Sequence, residues 1–142
     1  MSNEDTYIFY PDKDLIEMWL VLLKSENIEL KLKLPKEDEY WYKEVLDTIE
    51  RIKWDFINGI IPKAAHLFYY LDKDHNFVDG NKRTTIVIVH LFLFVNGYKI
   101  KSPNRIEVLA KKLARSIGAR NKEDWMRKIE REIKYNTEKM PD

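Results

Sequence analysis

The chain lacks several features that would assign it to a particular class. None of its 142 residues is a cysteine, which excludes a disulfide framework, thiolate metal sites and thiol catalysis. Only four glycines and five prolines interrupt it, and no apolar run is long enough to span a bilayer. Twenty-five basic against 24 acidic residues leave a net charge of +1, so no overall field favours a nucleic acid or a membrane as partner. Residues 1–10 do not resemble a signal peptide, and we expect a cytoplasmic protein whose phosphate-binding groups, if any, are local.

The hydrophobic content of the chain predicts one domain that spans residues 1–142. Hydrophobic residues make up 44% of the chain and aromatic residues 13%, enough to close a single core. Apolar residues recur every three to four positions between the few glycines and prolines, which predicts an all-α bundle of about six helices. The predicted helices cover residues 12–24, 37–58, a third from Pro62, 81–96, and two more around 106–117 and 125–133.

The spacing also predicts which side of each helix is buried. In the first helix the expected apolar side consists of Leu15, Met18, Trp19, Leu22 and Leu23. The second should bury Phe56 and end at Gly59. One stretch breaks the helical period, because residues 28–34 alternate strictly between apolar and charged. This alternation predicts a strand, which either forms a small hairpin or presents an edge to another chain.

The fourth helix is apolar on almost every side and should be the central, buried one. Its first residues are polar, so its N-terminus must reach a surface or cleft. Backbone N–H groups at a helix start, the positive end of the helix dipole, and the cations Lys82 and Arg83 together suit a phosphate group. Gly80 would allow close approach of an oxyanion, and Asp79 is a hard carboxylate of the type that binds Mg²⁺.

His75 precedes that helix start and could remove a proton from a hydroxyl nucleophile. Each of these residues also has an ordinary structural explanation: Asp79 as a helix cap, the two cations as a solvated first turn.

Residues 72–76 resemble the start of an EF-hand loop, but Phe77 and Arg83 stand where that loop needs glycine and glutamate. His66 and His90 lie on apolar helices and are expected to be hydrogen-bonded core or boundary residues.

Taken together, residues 75–83 resemble the signature of the Fic/Doc family, His-x-Phe-x-Asp/Glu-Gly/Ala-Asn-x-Arg. The resemblance implies an all-α fold and a nucleotide-dependent transferase that uses ATP and Mg²⁺. It implies His75 as the general base, Phe77 as the anchor of the loop and Asp79 as the metal ligand. It assigns the phosphates to Gly80, Asn81 and Arg83, with Lys82 and Thr84 as neighbours. The 28–34 stretch would be the flap that aligns a target chain.

One departure from the family pattern bears on the transferred group. The AMP-transferring branch continues Arg-x-x-Arg, whereas the corresponding position here is Ile86. That absence resembles Doc toxins, which transfer the γ-phosphoryl group, although Gly80 stands where the prototype Doc motif has alanine. The resemblance therefore implies phosphoryl transfer to a protein hydroxyl, with translation elongation factor Tu or its counterpart as target. AMP transfer and a non-catalytic module that binds nucleotide or phosphopeptide are the alternatives.

The resemblance also bears on inhibition. In much of the family a Ser/Thr-x-x-x-Glu-Gly/Asn helix blocks the nucleotide site. The nearest match begins at Ser25, and its Glu29 is followed by Leu30 in place of glycine or asparagine. We expect the inhibitor to be a separate antitoxin protein. The sequence leaves the oligomeric state open.

Overall fold

A computed structural model describes residues 7–25, 38–73, 81–114 and 122–141 of the chain. The predicted strand at 28–34 and the motif residues His75, Phe77, Asp79 and Gly80 lie outside these ranges. The described residues form six helices: α1 Lys13–Ser25, α2 Glu39–Lys53, α3 Ile60–Lys73, α4 Asn81–Val95, α5 Pro103–Ala114 and α6 Lys122–Asn136. The prediction of an all-α bundle of about six helices is confirmed.

The bundle is built around α3 and α4. Helix α3 packs against α2, α4, α5 and α6, while α4 also contacts α1 and α5. Residues 84–93 of α4 are buried except for His90, which is partly buried, so the prediction of a central buried helix is confirmed. The hydrophobic core is thus built around α4, and the polar end of this helix is its N-terminus. Within the described part of the chain, no helix has the length and apolar character needed to cross a membrane.

Helix α4 ends where the sequence predicts. Gly97 adopts φ +90°, a left-handed conformation that favours glycine, and its N–H donates to the carbonyl of Phe94 at 3.1 Å. The Asn96 side chain accepts a hydrogen bond from the Phe9 N–H at 2.8 Å and donates one to the Phe9 carbonyl at 2.9 Å. The segment before α1 is therefore held against the end of α4.

A small two-stranded sheet follows from this turn. Strand β1, Tyr98–Ile100, pairs antiparallel with β2, Thr137–Lys139, so that Lys99 lies opposite Glu138 and forms an ion pair of 2.9 Å with it. Each strand has three residues, too few for an alternating pattern to be recognised in the sequence. The small β element of the predicted fold is present, but these residues are not those of the predicted flap.

The predicted apolar side of α1 is wrong in part. The buried residues are Ile16, Trp19, Leu20 and Leu23, whereas Met18 and Leu22 are exposed. Residues 18–23 are all apolar, so helical spacing allows two stripes that share Trp19 and Leu23. The choice between them follows from a buried hydrogen bond of 3.1 Å, in which the Trp19 indole N–H donates to the Val87 carbonyl of α4.

The predicted end of α2 is also wrong, because the helix stops at Lys53 and Phe56 is 99% exposed. At this end the Ile52 carbonyl accepts a hydrogen bond from the Asp55 backbone N–H at 3.3 Å in a tighter turn, and a second one from the Lys63 ammonium of α3 at 2.5 Å. Helix α3 likewise begins two residues before Pro62, at Ile60.

Candidate active site

The N-terminus of α4 has the properties of an anion site. No acidic residue lies in its first turn, so no carboxylate of that turn neutralises the positive end of the helix dipole or competes with a bound anion. The first N–H groups of a helix point out of its end and can bind a phosphate. The side chains of Lys82 and Arg83 are half-buried in this first turn. A nucleotide phosphate fits this combination of backbone and cationic groups.

Lys82 takes part in a charge network with α5. Its ammonium lies 3.4 Å from a carboxylate oxygen of Glu107, and the Lys111 ammonium lies 3.5 Å from the same oxygen. The side chains of Lys82 and Glu107 are 29% and 22% exposed, so their pair is partly shielded from water. One carboxylate is therefore shared by two ammonium groups, and a phosphate arriving at α4 would compete with Glu107 for Lys82.

Thr84 forms a hydrogen bond that connects two helices. Its side chain is wholly buried, and its hydroxyl oxygen accepts a 2.8 Å hydrogen bond from the Trp41 indole N–H. Trp41 is itself held at the start of α2, where its backbone N–H donates to the capping carboxylate of Asp38 at 2.8 Å. The contact fixes the first turn of α4 against α2. The role of Thr84 as a phosphate neighbour stays a prediction.

Asp72 is a buried acid at the end of α3, beside the start of α4. Only 2% of the residue is exposed, and the Thr85 side chain is one of the groups that favour the charged form of its carboxyl. Burial raises the pKa of Asp72 to about 7, against the opposing influence of Lys73, the Thr85 side chain and Lys82. The carboxyl is thus poised to change its charge near neutral pH.

Sequence reasoning missed Asp72 and Glu107 as parts of this region. In the sequence, Asp72 belongs to the segment 72–76 that resembles the start of an EF-hand loop. A usable signal was present, because Asp72 lies one turn after Phe68 on the buried side of α3, where a charge is unexpected. Glu107 offered no comparable signal, since its partner Lys82 is 25 residues away in the sequence.

The two histidines outside the motif lie where the sequence predicts, at core or boundary positions. The His90 ring packs edge-on against Trp19 with 5.2 Å between ring centroids, and burial lowers its pKa to about 4. His66 Nδ1 lies 3.5 Å from Asp55, and burial outweighs that carboxylate and lowers the pKa of His66. Among the described residues, Nδ1 of both His66 and His90 lacks the predicted hydrogen bond. Nor do those residues bring together three or more side chains suited to a metal ion.

The structure thus places Lys82, Arg83 and the backbone of Asn81 in the first turn of α4. Two acidic residues, Asp72 and Glu107, lie near this turn. It does not describe His75, Phe77, Asp79 and Gly80, whose roles stay predictions. These observations define an all-α domain whose buried central helix begins at a basic, phosphate-suited end.

Comparison with known families agrees with this description. The sequence model of the Fic/DOC family matches residues 13–93, more than half of the chain, and the match includes the 75–83 motif and nearly all of α4. The chain belongs to the Fic/Doc family, whose members are in general protein-modifying transferases. No curated protein and no solved structure gives a significant match to the chain.

Proposed function

We propose that this protein is a Doc-like toxin that transfers the γ-phosphoryl group of ATP to a hydroxyl of a target protein. The observation that carries the proposal is that the family motif, residues 75–83, ends in the first turn of the buried helix α4, and that this turn contains no acidic residue. In this reading the N-terminus of α4, with Asn81, Lys82 and Arg83, binds the phosphates of the nucleotide. Gly80 provides a site of close backbone approach, and Phe77 anchors the loop.

The position of Ile86 supports phosphoryl transfer over AMP transfer. The AMP-transferring branch has an arginine at this point of its motif, whereas the Ile86 side chain is fully buried in the core. No cation from this position can reach a nucleotide, and an arginine there would be costly to bury without a partner. The orientation of the nucleotide that depends on that arginine is therefore disfavoured.

The chemistry needs one base and one anion site. His75 accepts the proton of the target hydroxyl as its oxygen attacks the γ-phosphorus. The bond between the γ-phosphorus and the bridging oxygen breaks, and ADP leaves with that oxygen. Asp79 is the residue that would hold Mg²⁺, which offsets the charge of the phosphates when bound. The cations at the start of α4 stabilise the charge that develops on the leaving diphosphate.

Translation elongation factor Tu, or its counterpart, is the proposed target, and a separate antitoxin is the proposed inhibitor. An inhibitory glutamate within the chain would find an alkyl group at Ile86, where the family's arginine would pair with it. Expression of the chain alone should therefore arrest growth of a susceptible host, and Glu29→Gly should change nothing. Activation of an otherwise inactive chain by Glu29→Gly would place the inhibitor within this chain and overturn the antitoxin proposal.

Nucleotide labelled separately at the α- and γ-positions tests the transfer itself. The purified chain, incubated with a host lysate and Mg-ATP, should label a protein from the γ-position alone. His75→Ala should reduce that labelling by about 10²- to 10⁴-fold, as is usual for loss of a general base. His66→Ala is the matched control, because His66 lies outside the motif, and it should retain the activity. Label from the α-position would identify an AMP transferase, and nucleotide binding without label in any protein would identify a binding module.

A further inference from the structure

Helices α5 and α6 border a groove that carries more positive than negative charge. Its volume is about 330 Å³, and its charged lining residues are Arg105, Lys112, Lys128 and Glu132. Val108 lies about one turn from Arg105 and from Lys112 and is 49% exposed, so the centre of the groove is apolar. We call this surface the α5–α6 groove. Because the whole chain has a net charge of only +1, the excess of positive charge is local.

The three cations of the groove are not neutralised by acids. The Arg105 guanidinium lies 5.7 Å from the centre of the Tyr135 ring, and the Lys128 ammonium lies 5.6 Å from the centre of the Trp125 ring. In the part of the chain that the structure describes, neither these two nor Lys112 forms an ion pair, whereas other basic residues of α5 and α6 do. The charges of the groove are therefore available to a ligand.

Glu132 is the one acidic residue among the described residues that line the groove. Its carboxylate accepts a hydrogen bond from the Asn136 amide at 3.3 Å, within the same helix. Lys128 is one turn away on α6, but the two side chains form no ion pair among the described contacts. Three basic residues against one acidic leave the lining with a net charge of +2. The groove thus favours an anionic ligand.

We infer that the α5–α6 groove binds an acidic segment of a partner protein, in which carboxylates lie on either side of one apolar side chain. The apolar side chain would contact Val108, and the carboxylates would pair with the cations around it. Arg105 and Lys112 are seven residues apart in α5, about 10 Å along the axis at 1.5 Å per residue. A helical segment with acids three residues before and four residues after its apolar residue has the same spacing.

The apolar centre favours a protein segment over a nucleic acid. A phosphate backbone would also match three cations, but Val108 offers it no favourable contact. No aromatic side chain of the described residues lines the groove, so it provides no ring on which a base could stack. An acidic peptide uses both the charges and the apolar centre.

The inference is independent of the proposed function. Glu107, which connects α5 to Lys82 at the start of α4, does not line the groove. Variants in the groove should therefore leave the affinity for Mg-ATP unchanged. Loss of peptide binding and loss of nucleotide binding or transfer are separate results.

Fluorescence anisotropy with the full chain and a labelled peptide tests the inference. The peptide is an alanine-rich helix of about 15 residues with a central leucine and with glutamates at the spacing given above. We expect saturable binding that weakens as the salt concentration rises. A control peptide with lysines in place of the glutamates should not bind. An acidic peptide that binds no better than this control would overturn the inference, and so would tighter binding of a single-stranded oligothymidine of about 12 nucleotides.

Single variants test whether the peptide binds in this groove. Lys112→Glu should raise the dissociation constant of the acidic peptide by about three- to tenfold, because an attractive pair becomes repulsive. Val108→Asp should raise it by about tenfold, because it removes the apolar contact and adds a negative charge. Glu132→Gln should lower it by about two- to threefold, because it removes the acid that repels the peptide. The replaced side chains are exposed or half-buried, so thermal unfolding should show that these variants fold.

Lys134→Glu is the matched control for Lys112→Glu. Lys134 is exposed on α6, about 120° around the helix axis from Lys128, and its replacement changes the net charge by the same amount. It should leave peptide binding unchanged. Equal losses of affinity in Lys112→Glu and Lys134→Glu would show attraction to the overall charge of the protein and overturn the inference. Binding that none of the groove variants changes would also overturn it.

Discussion

The Trp41 indole N–H donates a 2.8 Å hydrogen bond to the Thr84 hydroxyl, and this buried contact joins the start of α2 to the first turn of α4. The two residues are 43 positions apart in the sequence. Since the first turn of α4 is also the candidate phosphate site, the bond connects the stability of the bundle to the position of that site.

Loss of this hydrogen bond should destabilise the protein. Thr84→Val keeps the shape of the side chain but leaves the Trp41 N–H buried without an acceptor, which typically costs about 1–3 kcal/mol. Urea denaturation measures the change in the free energy of unfolding. Thr48→Val is a useful control, because it removes a buried hydroxyl that donates to the Glu44 carbonyl within its own helix. Equal losses of stability in both variants would contradict a specific role of the contact between Trp41 and Thr84.

Neutralising Glu107 should strengthen nucleotide binding. Glu107→Gln removes the carboxylate that holds Lys82, so the ammonium can turn to a phosphate without losing an ion pair. We expect the dissociation constant of Mg-ATP to fall by about two- to fivefold, the scale of one partly exposed ion pair. Isothermal titration calorimetry measures it. Glu138→Gln removes a comparable pair with Lys99 at the other end of the bundle and should leave the affinity unchanged. Weaker binding in Glu107→Gln would show that Glu107 supports the site.

Removal of Asp79 should weaken binding of the metal-bound nucleotide in addition to turnover. Asp79→Ala removes the carboxylate that we propose for Mg²⁺, so the affinity for Mg-ATP should fall, while the affinity for ATP in the presence of a chelator should change little. Calorimetry with and without Mg²⁺ separates the two. Asp74→Ala, in the same part of the sequence but outside the family motif, is the control. An unchanged affinity for Mg-ATP in Asp79→Ala would remove Asp79 from this role.

Asp72 should make the folded state less stable as the pH rises from about 4 to 7. In this window native Asp72 keeps a proton that the unfolded chain has lost, because burial raises its pKa from 3.8 to about 7. The free energy of unfolding therefore falls with pH, by up to about 4 kcal/mol at 1.36 kcal/mol per unit. Asp72→Asn should remove this loss and be more stable than the wild type at pH 8, with little difference at pH 4. Asp47→Asn, at an exposed position of α2, provides the control.

His90 should have the opposite effect on the acid side. Burial lowers its pKa from 6.5 to about 4, so between these values the unfolded chain binds a proton that the native protein excludes. Stability from this residue is lost as the pH falls through that window. His90→Leu should abolish the loss between pH 6.5 and 4. The two slopes oppose one another, so the wild-type profile conceals both, and the single variants are needed. Profiles of variant and wild type that run parallel would contradict the assignment.

The amino-acid sequence by itself determined the all-α class and the limits of α4. Glycine ends that helix after Val95, the polar run at 81–84 begins it, and the apolar residues between them require burial on every side. These are local properties, because capping and helical period depend on residues within a few positions of one another. The family signature at 75–83 is likewise a contiguous pattern, and for that reason it could be found without a structure.

The tertiary structure decided the features that depend on residues far apart in the chain. Two apolar stripes of α1 satisfied the same helical period, and the contact of Trp19 with α4 selected the buried one and left Met18 exposed. The carbonyl of Ile52 near the end of α2 accepts a hydrogen bond from Lys63 of another helix. The raised pKa of Asp72 and the pairing of Lys82 with Glu107 arose from burial and from the packing of α3, α4 and α5. Electrostatic and packing energies depend on distance in space, and no period or spacing in the sequence encodes that distance.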